Sequence, residues 1–145
     1  MAVLVSKPAP FFNDSDKVFS AVLGDGNIVD DFSFKAATKG KYAVVFFYPL
    51  DFTFVCPSEI IAFNNRLEEF KKRNVELISV SVDSQFTHSA WRNTAVDAGG
   101  IGPVGFTMVA DIKREIIQAF DVESDGGVAF RGSFLIDKDG VVQHQ

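Results

Sequence analysis

An α/β fold built on one central mixed β-sheet is what this sequence predicts, and three observations carry the prediction. An unbroken apolar run, Tyr42 to Tyr48, fits a strand buried on both faces in the middle of a sheet. The stretch from Ser58 to Arg73 places Ile60, Phe63, Leu67 and Phe70 at three- and four-residue steps, the spacing of a helix with one buried face. The last residues read as two strands, Val128 to Ile136 and Val141 onward, joined at Asp137-Lys138-Asp139-Gly140. A strand–helix–strand crossover makes parallel neighbours and a hairpin makes antiparallel ones, so the sheet is mixed, with helices flanking it. At 145 residues the chain is long enough for one well-buried core and too short for two, so residues 1–145 are read as a single domain.

The remaining elements follow in order. Pro8 and Pro10 mark an irregular start, and Gly24-Asp25-Gly26-Asn27 lies between two apolar segments, which predicts an N-terminal β-hairpin with Asp-Gly as its turn. In the helix after the central strand, Glu59 near the start and Lys71-Lys72-Arg73 at the end both complement the helix dipole. Val75 to Val82 is a strand rich in β-branched residues. Asp83 or Ser84 can cap a helix running through Ala90, Trp91 and Ala95. After the break at Gly99-Gly100-Ile101-Gly102-Pro103 comes a short strand, Thr107 to Ala110. Asp111 then caps a helix holding Ile112, Ile116 and Phe120.

Composition removes several classes of function. Hydrophobic residues make up 47% and charged residues 23%, close to soluble globular averages. A net charge of −5 and a pI near 4.9 lack the basic footprint of a nucleic-acid binder. The run Ala43 to Leu50 falls far short of the ~20 apolar residues of a membrane helix. The N-terminus has no charged region followed by a long apolar stretch, so it is not read as a secretory signal. One cysteine cannot close an internal disulfide, and no Cys/His cluster has zinc spacing. His88 and His144 stand too far apart, without supporting ligands, to argue for a metal or a catalytic base. A soluble protein of a reducing compartment, the cytoplasm, is expected, with no metal, cofactor, nucleic-acid or membrane partner. The 16 phenylalanines fit either a Phe-rich core or surface rings covered by another subunit.

Chemistry concentrates around Cys56. A lone cysteine among apolar residues is by itself more often an inert small hydrophobe. This one follows the central strand and directly precedes Pro57, a residue favoured at the first position of a helix. It therefore faces free backbone N–H groups and the positive end of a helix dipole. A free thiol with a pKa of about 8.5 is only about 3% ionised at pH 7, whereas a pKa of roughly 6 raises that to about 90%. The helix end alone does not supply that shift, so a cationic partner is expected.

Tyr48-Pro49-Leu50-Asp51-Phe52-Thr53-Phe54-Val55-Cys56-Pro57 resembles the active-site segment of the peroxiredoxins, whose pattern is Pro-x-x-x-Thr-x-x-Cys. The likeness is to the typical two-cysteine subgroup, which includes the alkyl hydroperoxide reductase peroxidase subunit. It runs from Pro8-Ala9-Pro10 through Ser58–Phe63 and Ala129-Phe130-Arg131-Gly132 to Phe134-Leu135-Ile136-Asp137, essentially the whole chain. The resemblance implies a thioredoxin-like fold and a thiol peroxidase that reduces hydrogen peroxide and organic hydroperoxides. In it Cys56 matches the peroxidatic cysteine, Thr53 the threonine that hydrogen-bonds the peroxide, Arg131 the arginine that stabilises the thiolate and the leaving oxygen, and Pro49 the proline that shields the pocket. Glu59 and Tyr48 match supporting positions behind the substrate, although a first-turn acid such as Glu59 needs no such role. Phe52 and Phe54 offer an apolar mouth for alkyl peroxides, a reading that core phenylalanines fit equally.

Further implications concern partners. Trp91 and Phe86-Thr87-His88 fall in a region that borders the pocket and the contact between dimers, with core packing the competing account for Phe86 and Trp91, and the last strand, with Val141 and Val142, is the one that pairs with its copy. The resemblance thus implies a homodimer or a ring of five such dimers, and a thioredoxin-like or flavoprotein reductant. The second cysteine of the subgroup is missing from these residues. Either this is a one-cysteine enzyme resolved by an external thiol, or the sequence is cut short before a C-terminal tail. Gly99-Gly100-Ile101-Gly102, similar to the Gly-Gly-x-Gly insertion of two-cysteine members, and the abrupt end favour the second. Two rivals stay open: a disulfide oxidoreductase, which needs Cys-x-x-Cys where this chain has Thr53, and a holdase module with an incidental cysteine.

Overall fold

The computed structural model describes residues 2–13, 15–53 and 56–145, with residue 56 described by its backbone alone. The Asp-Gly turn joins β1 (Phe19–Val22) to β2 (Ile28–Phe32), with Asp25 Oδ1 accepting from Asn27 N at 2.9 Å and Gly26 at φ +93°. Ser33 caps the single turn α1 (Phe34–Ala37). The unbroken apolar run becomes β3 (Tyr42–Phe47), followed by α2 (Cys56–Asn65), α3 (Leu67–Lys72) and β4 (Val75–Ser81). Then come α4 (Gln85–Arg92), β5 (Thr107–Ala110), α5 (Glu115–Ala119), β6 (Gly132–Ile136) and β7 (Val142–His144).

The seven strands form one mixed sheet in the order β2-β1-β5-β4-β3-β6-β7. Strands β3, β4 and β5 run parallel, while β6 and β1 join them antiparallel on either side. Period-two alternation divides the apolar residues of β3 between two cores. Val45 and Phe47 face a cluster with Phe34, Ile116, Ile117, Phe120 and Phe134. Phe46 and Tyr48 face another with Ile60, Trp91, Phe106 and Met108, against which Phe63, Leu67 and Phe70 pack. Most phenylalanines are thus core residues, while Phe52, Phe86 and Phe130 remain 51%, 67% and 48% exposed.

Several boundaries differ from those the sequence predicts. The helix expected over Ser58 to Arg73 divides at Arg66, whose ψ of 7° leaves the helical well. Bonds of the i→i−3 kind, Arg66 N to Phe63 O and Glu69 N to Arg66 O, replace the regular ladder there. Asn64, a poor helix former, turns its side chain to accept from Gly105 N at 2.9 Å. The helix expected to reach Ala95 ends at Arg92, whose guanidinium donates to the carbonyls of Leu23, Gly24 and Val104. Ser84 is the residue that caps it, accepting from Thr87 N at 3.1 Å.

Asp111 does cap a helix, but from a distance. Its carboxylate accepts from Ile116 N and Ile117 N at 3.0 and 2.9 Å across a turn that passes through Arg114 at φ +61°. Ile112 consequently lies outside α5 and 53% exposed. The strand expected from Val128 begins only at Gly132, because Ala129 bridges Glu123 and Phe130 N bonds Val122 O, away from the sheet. Among the described residues, no helix is long and apolar enough to cross a membrane.

Candidate active site

The register of the central strands sets the site. Phe47, the last residue of β3, pairs with Gly132, the first of β6, in antiparallel order. The chain leaving β3 at Tyr48 and Pro49 therefore runs beside the chain arriving through Phe130 and Arg131. Pro49 and Arg131 line one open cleft of about 610 Å³, together with Ser124, Val128, Ala129 and Phe130. Helix α2 opens at residue 56, and its first turn carries Glu59. Glu59 Oε1 accepts from Arg131 Nη1 at 2.8 Å, with both side chains about 40% exposed. That contact fixes part of the guanidinium fork, and Arg131 has anchoring beyond it.

Thr53 closes the turn between β3 and α2, its hydroxyl donating to Leu50 O at 3.3 Å. The residue before it, Phe52, sits at φ +58°, a left-handed conformation that costs a non-glycine residue about 1–2 kcal/mol. Phe54, and the side chain of Cys56 for which the nucleophile is expected, lie outside the described residues.

Tyr48 stands behind this turn. Its ring is only 1% exposed, and its hydroxyl donates to Asp51 Oδ1 at 2.6 Å. Burial, with Asp51 adjacent, holds its pKa well above the ordinary tyrosine value. Asp51 Oδ2 meets His88 Nδ1 at 2.6 Å, both side chains being fully buried, and His88 Nε2 meets Val109 O at 3.0 Å. A carbonyl only accepts, so Nε2 carries the hydrogen of that contact. Burial pushes the Asp51 carboxyl above the usual range, and the histidine opposes that rise.

Asp51 and His88 are the residues that sequence reasoning missed. The resemblance set His88 in a region bordering the pocket but gave it no partner or role, whereas its position three residues before Trp91 puts it on the buried face of α4. A histidine on an apolar helical face needs a buried partner, and that requirement was the available signal. Among the described residues, no group of three or more His, Cys, Asp or Glu side chains could hold a metal ion.

The remaining predicted positions lie elsewhere. Phe86 and Thr87 are in the first turn of α4, Phe86 exposed and Thr87 half-buried. Val141 and Val142 are at the far edge of the sheet. There the side chain of Val142 is buried in the core, while its N–H and C=O bond Lys7 O and Ser6 N. A second copy pairing along this edge would have to use the strand beyond Val142.

Residues 5–145 match the AhpC/TSA family. This chain belongs to that family. It is 51% identical over 144 residues to an alkyl hydroperoxide reductase C of Buchnera aphidicola, covering 99% of this chain and 70% of that relative. With peroxiredoxin-2 of Macaca fascicularis it shares 47% identity, covering 96% of this chain and 67% of that one. The reduced 2-Cys peroxiredoxin of Plasmodium vivax superposes with a TM-score of 0.89 at 44% identity, over 98% of this chain and 83% of the other. A thioredoxin-like peroxiredoxin fold is accordingly the architecture of this AhpC/TSA chain.

Proposed function

We propose that this chain is a thiol peroxidase that reduces hydrogen peroxide and organic hydroperoxides, with Cys56 as the nucleophile. The observation that carries the reading is that Pro49 and Arg131 share one cleft and that Arg131 is held by Glu59, in the first turn of a ten-residue helix whose first residue is Cys56. Backbone N–H groups at a helix start and a neighbouring guanidinium both favour thiolate over thiol.

The thiolate attacks one peroxide oxygen, the S–O bond forms and the O–O bond breaks. Sulfur is oxidised to a sulfenic acid, and the leaving oxygen departs as water or alcohol after taking a proton. Arg131 donates to the developing negative charge on that oxygen, and Thr53 holds the peroxide in line, its hydroxyl exchanging Leu50 O for the substrate. Pro49 and the apolar rim of Val128 and Phe130 restrict water.

Cys56 is the only cysteine of these 145 residues, so the thiol that reduces the sulfenic acid comes from another part of the assembly or another molecule. A thioredoxin-like or flavoprotein donor fits that need, and a reducing compartment, the cytoplasm, fits a solitary thiol. A homodimer formed along the β7 edge, enlarged to a decamer through the face bearing Phe86 and Thr87, is the assembly proposed with it. The exposed residues Gln143 and His144 of β7, beyond the part of the edge that Ser6 and Lys7 cover, and the exposed Phe86 support it.

The test is intact-mass measurement after one equivalent of hydrogen peroxide. Rapid gain of one oxygen at Cys56, abolished by Cys56→Ser and slowed by Arg131→Ala, is the expected result. An unreactive thiol in folded protein refutes the peroxidase reading.

A further inference from the structure

We propose that Asp51 and His88 are positioning residues for peroxide attack. On this reading their buried contact, with Tyr48 and Trp91, holds the strained Pro49–Thr53 turn in the shape that aims Thr53 into the cleft. The proposal rests on the peroxidase reading and adds residues that act through Thr53.

Three anchors converge on Asp51. Its carboxylate receives the Tyr48 hydroxyl on one oxygen and meets His88 Nδ1 on the other, each at 2.6 Å. Its backbone N–H donates to Asp83 Oδ2 at 2.8 Å, and Asp83 is itself held by Ser81 Oγ at 2.8 Å. The next residue, Phe52, is left-handed at φ +58°, and its half-exposed side chain buries too little to hold that conformation alone. Its ring lies 5.8 Å from that of Trp91, whose indole N–H donates to Gly99 O at 3.1 Å.

His88 and Trp91 are one helical turn apart on the buried face of α4, so this single helix grips the turn at the strained residue and at the residue before it. The far end of the chain of contacts, Val109 O, belongs to β5 inside the sheet. The turn that carries Thr53 is thereby referenced to the rigid core. Such burial of polar groups is expensive unless every partner is present, and here all are.

A misplacement of about 1 Å in a reacting group can cost on the order of a hundredfold in rate. The measurement is the ratio of two rates at Cys56, oxidation by hydrogen peroxide and alkylation by iodoacetamide, each followed by intact mass. Iodoacetamide needs only the thiolate, whereas peroxide also needs Thr53 in place. Asp51→Ala is expected to lower the peroxide rate by about a hundredfold while alkylation changes by less than about threefold. Asp51→Asn keeps an acceptor for Tyr48 and offers an N–H to Nδ1, so it should recover most of the loss.

Equal falls in both rates, or a peroxide rate within about threefold of wild type, overturn the proposal. If Asp51→Ala does not fold, Tyr48→Phe decides the matter by removing one oxygen from a buried ring: a ratio reduced by about fivefold or more supports it, and an unchanged ratio overturns it. A wild-type thiol that alkylates yet takes no oxygen from peroxide overturns the peroxidase reading, and this proposal with it. Normal wild-type oxidation with an unaltered ratio in the variants overturns this proposal alone.

Discussion

Glu59→Ala separates what the Arg131–Glu59 contact does for stability from what it does for reaction. At 2.8 Å the contact is short, but both side chains are about 40% exposed, so solvent screens it. A pair of this kind contributes roughly 0.2–1 kcal/mol to folding, which for a domain of this size moves the thermal midpoint by no more than about 4 °C. The effect on reaction is of another origin. An arginine side chain carries about 2 kcal/mol of rotamer entropy, and the Glu59 contact withholds part of it before substrate arrives. Arg131 has other anchoring, so only about half of that order is released when Glu59 is lost. A cost of about 1 kcal/mol corresponds to a fivefold slower attack on peroxide. Glu59→Gln, whose amide oxygen still accepts from Nη1, should recover most of it. Stopped-flow oxidation with hydrogen peroxide, alongside thermal melting, measures both quantities. An unchanged or faster rate in Glu59→Ala, or a midpoint lowered by more than about 10 °C, would refute the assignment of Glu59 as an orienting group.

Two further predictions concern the scaffold. Arg92→Leu leaves the carbonyls of Leu23, Gly24 and Val104 without their donor, and urea unfolding should show a loss of about 3 kcal/mol; a loss below about 1 kcal/mol would count against it. Asp137 has its carboxyl held below the usual range, first by the Val141 N–H and then by the Asp139 N–H and Gln143. A depressed folded pKa means that the stability it contributes is complete above the ordinary value of about 3.9, and is lost as pH falls through the folded value. Wild type and Asp137→Ala should therefore differ in stability at neutral pH and converge in acid, and a gap that persists to the lowest pH would exclude the mechanism.

The parts of the fold that were legible in the sequence are those where one local rule acts alone. Ala43–Phe47 has no polar side chain to place, so burial on both faces was the outcome left to it, with Tyr42 exposed at its start. Gly24–Asn27 had a turn chemistry with few alternatives. Boundaries failed where a distant partner outbid the local signal: Asn64 turned toward Gly105, Arg92 toward three carbonyls, and Ala129 toward Glu123. The candidate site divides in the same way. Pro49, Thr53 and Cys56 stood out through a linear pattern, and Arg131 and Glu59 through a resemblance, without the contact between those two. Asp51 and His88, separated by 37 residues, meet only because α4 packs over the end of β3, and no spacing in the chain announces that.

The segment laid across the edge of β7 ties residues from opposite ends of the sequence. Ser6 and Lys7 bond Val142, Ala9 bonds Gly140, and the Gln145 side chain bonds both Leu4 and Ala2. Closing a loop of that span costs roughly 2 kcal/mol more chain entropy than closing a ten-residue turn. These contacts reward folding only after the sheet between them exists, so the clasp belongs to the late side of the folding barrier. Substitutions in it should speed unfolding while leaving the refolding rate nearly untouched. During synthesis, Ser6 and Lys7 must wait for almost all of these residues before their partners emerge, and until then the edge they cover is bare.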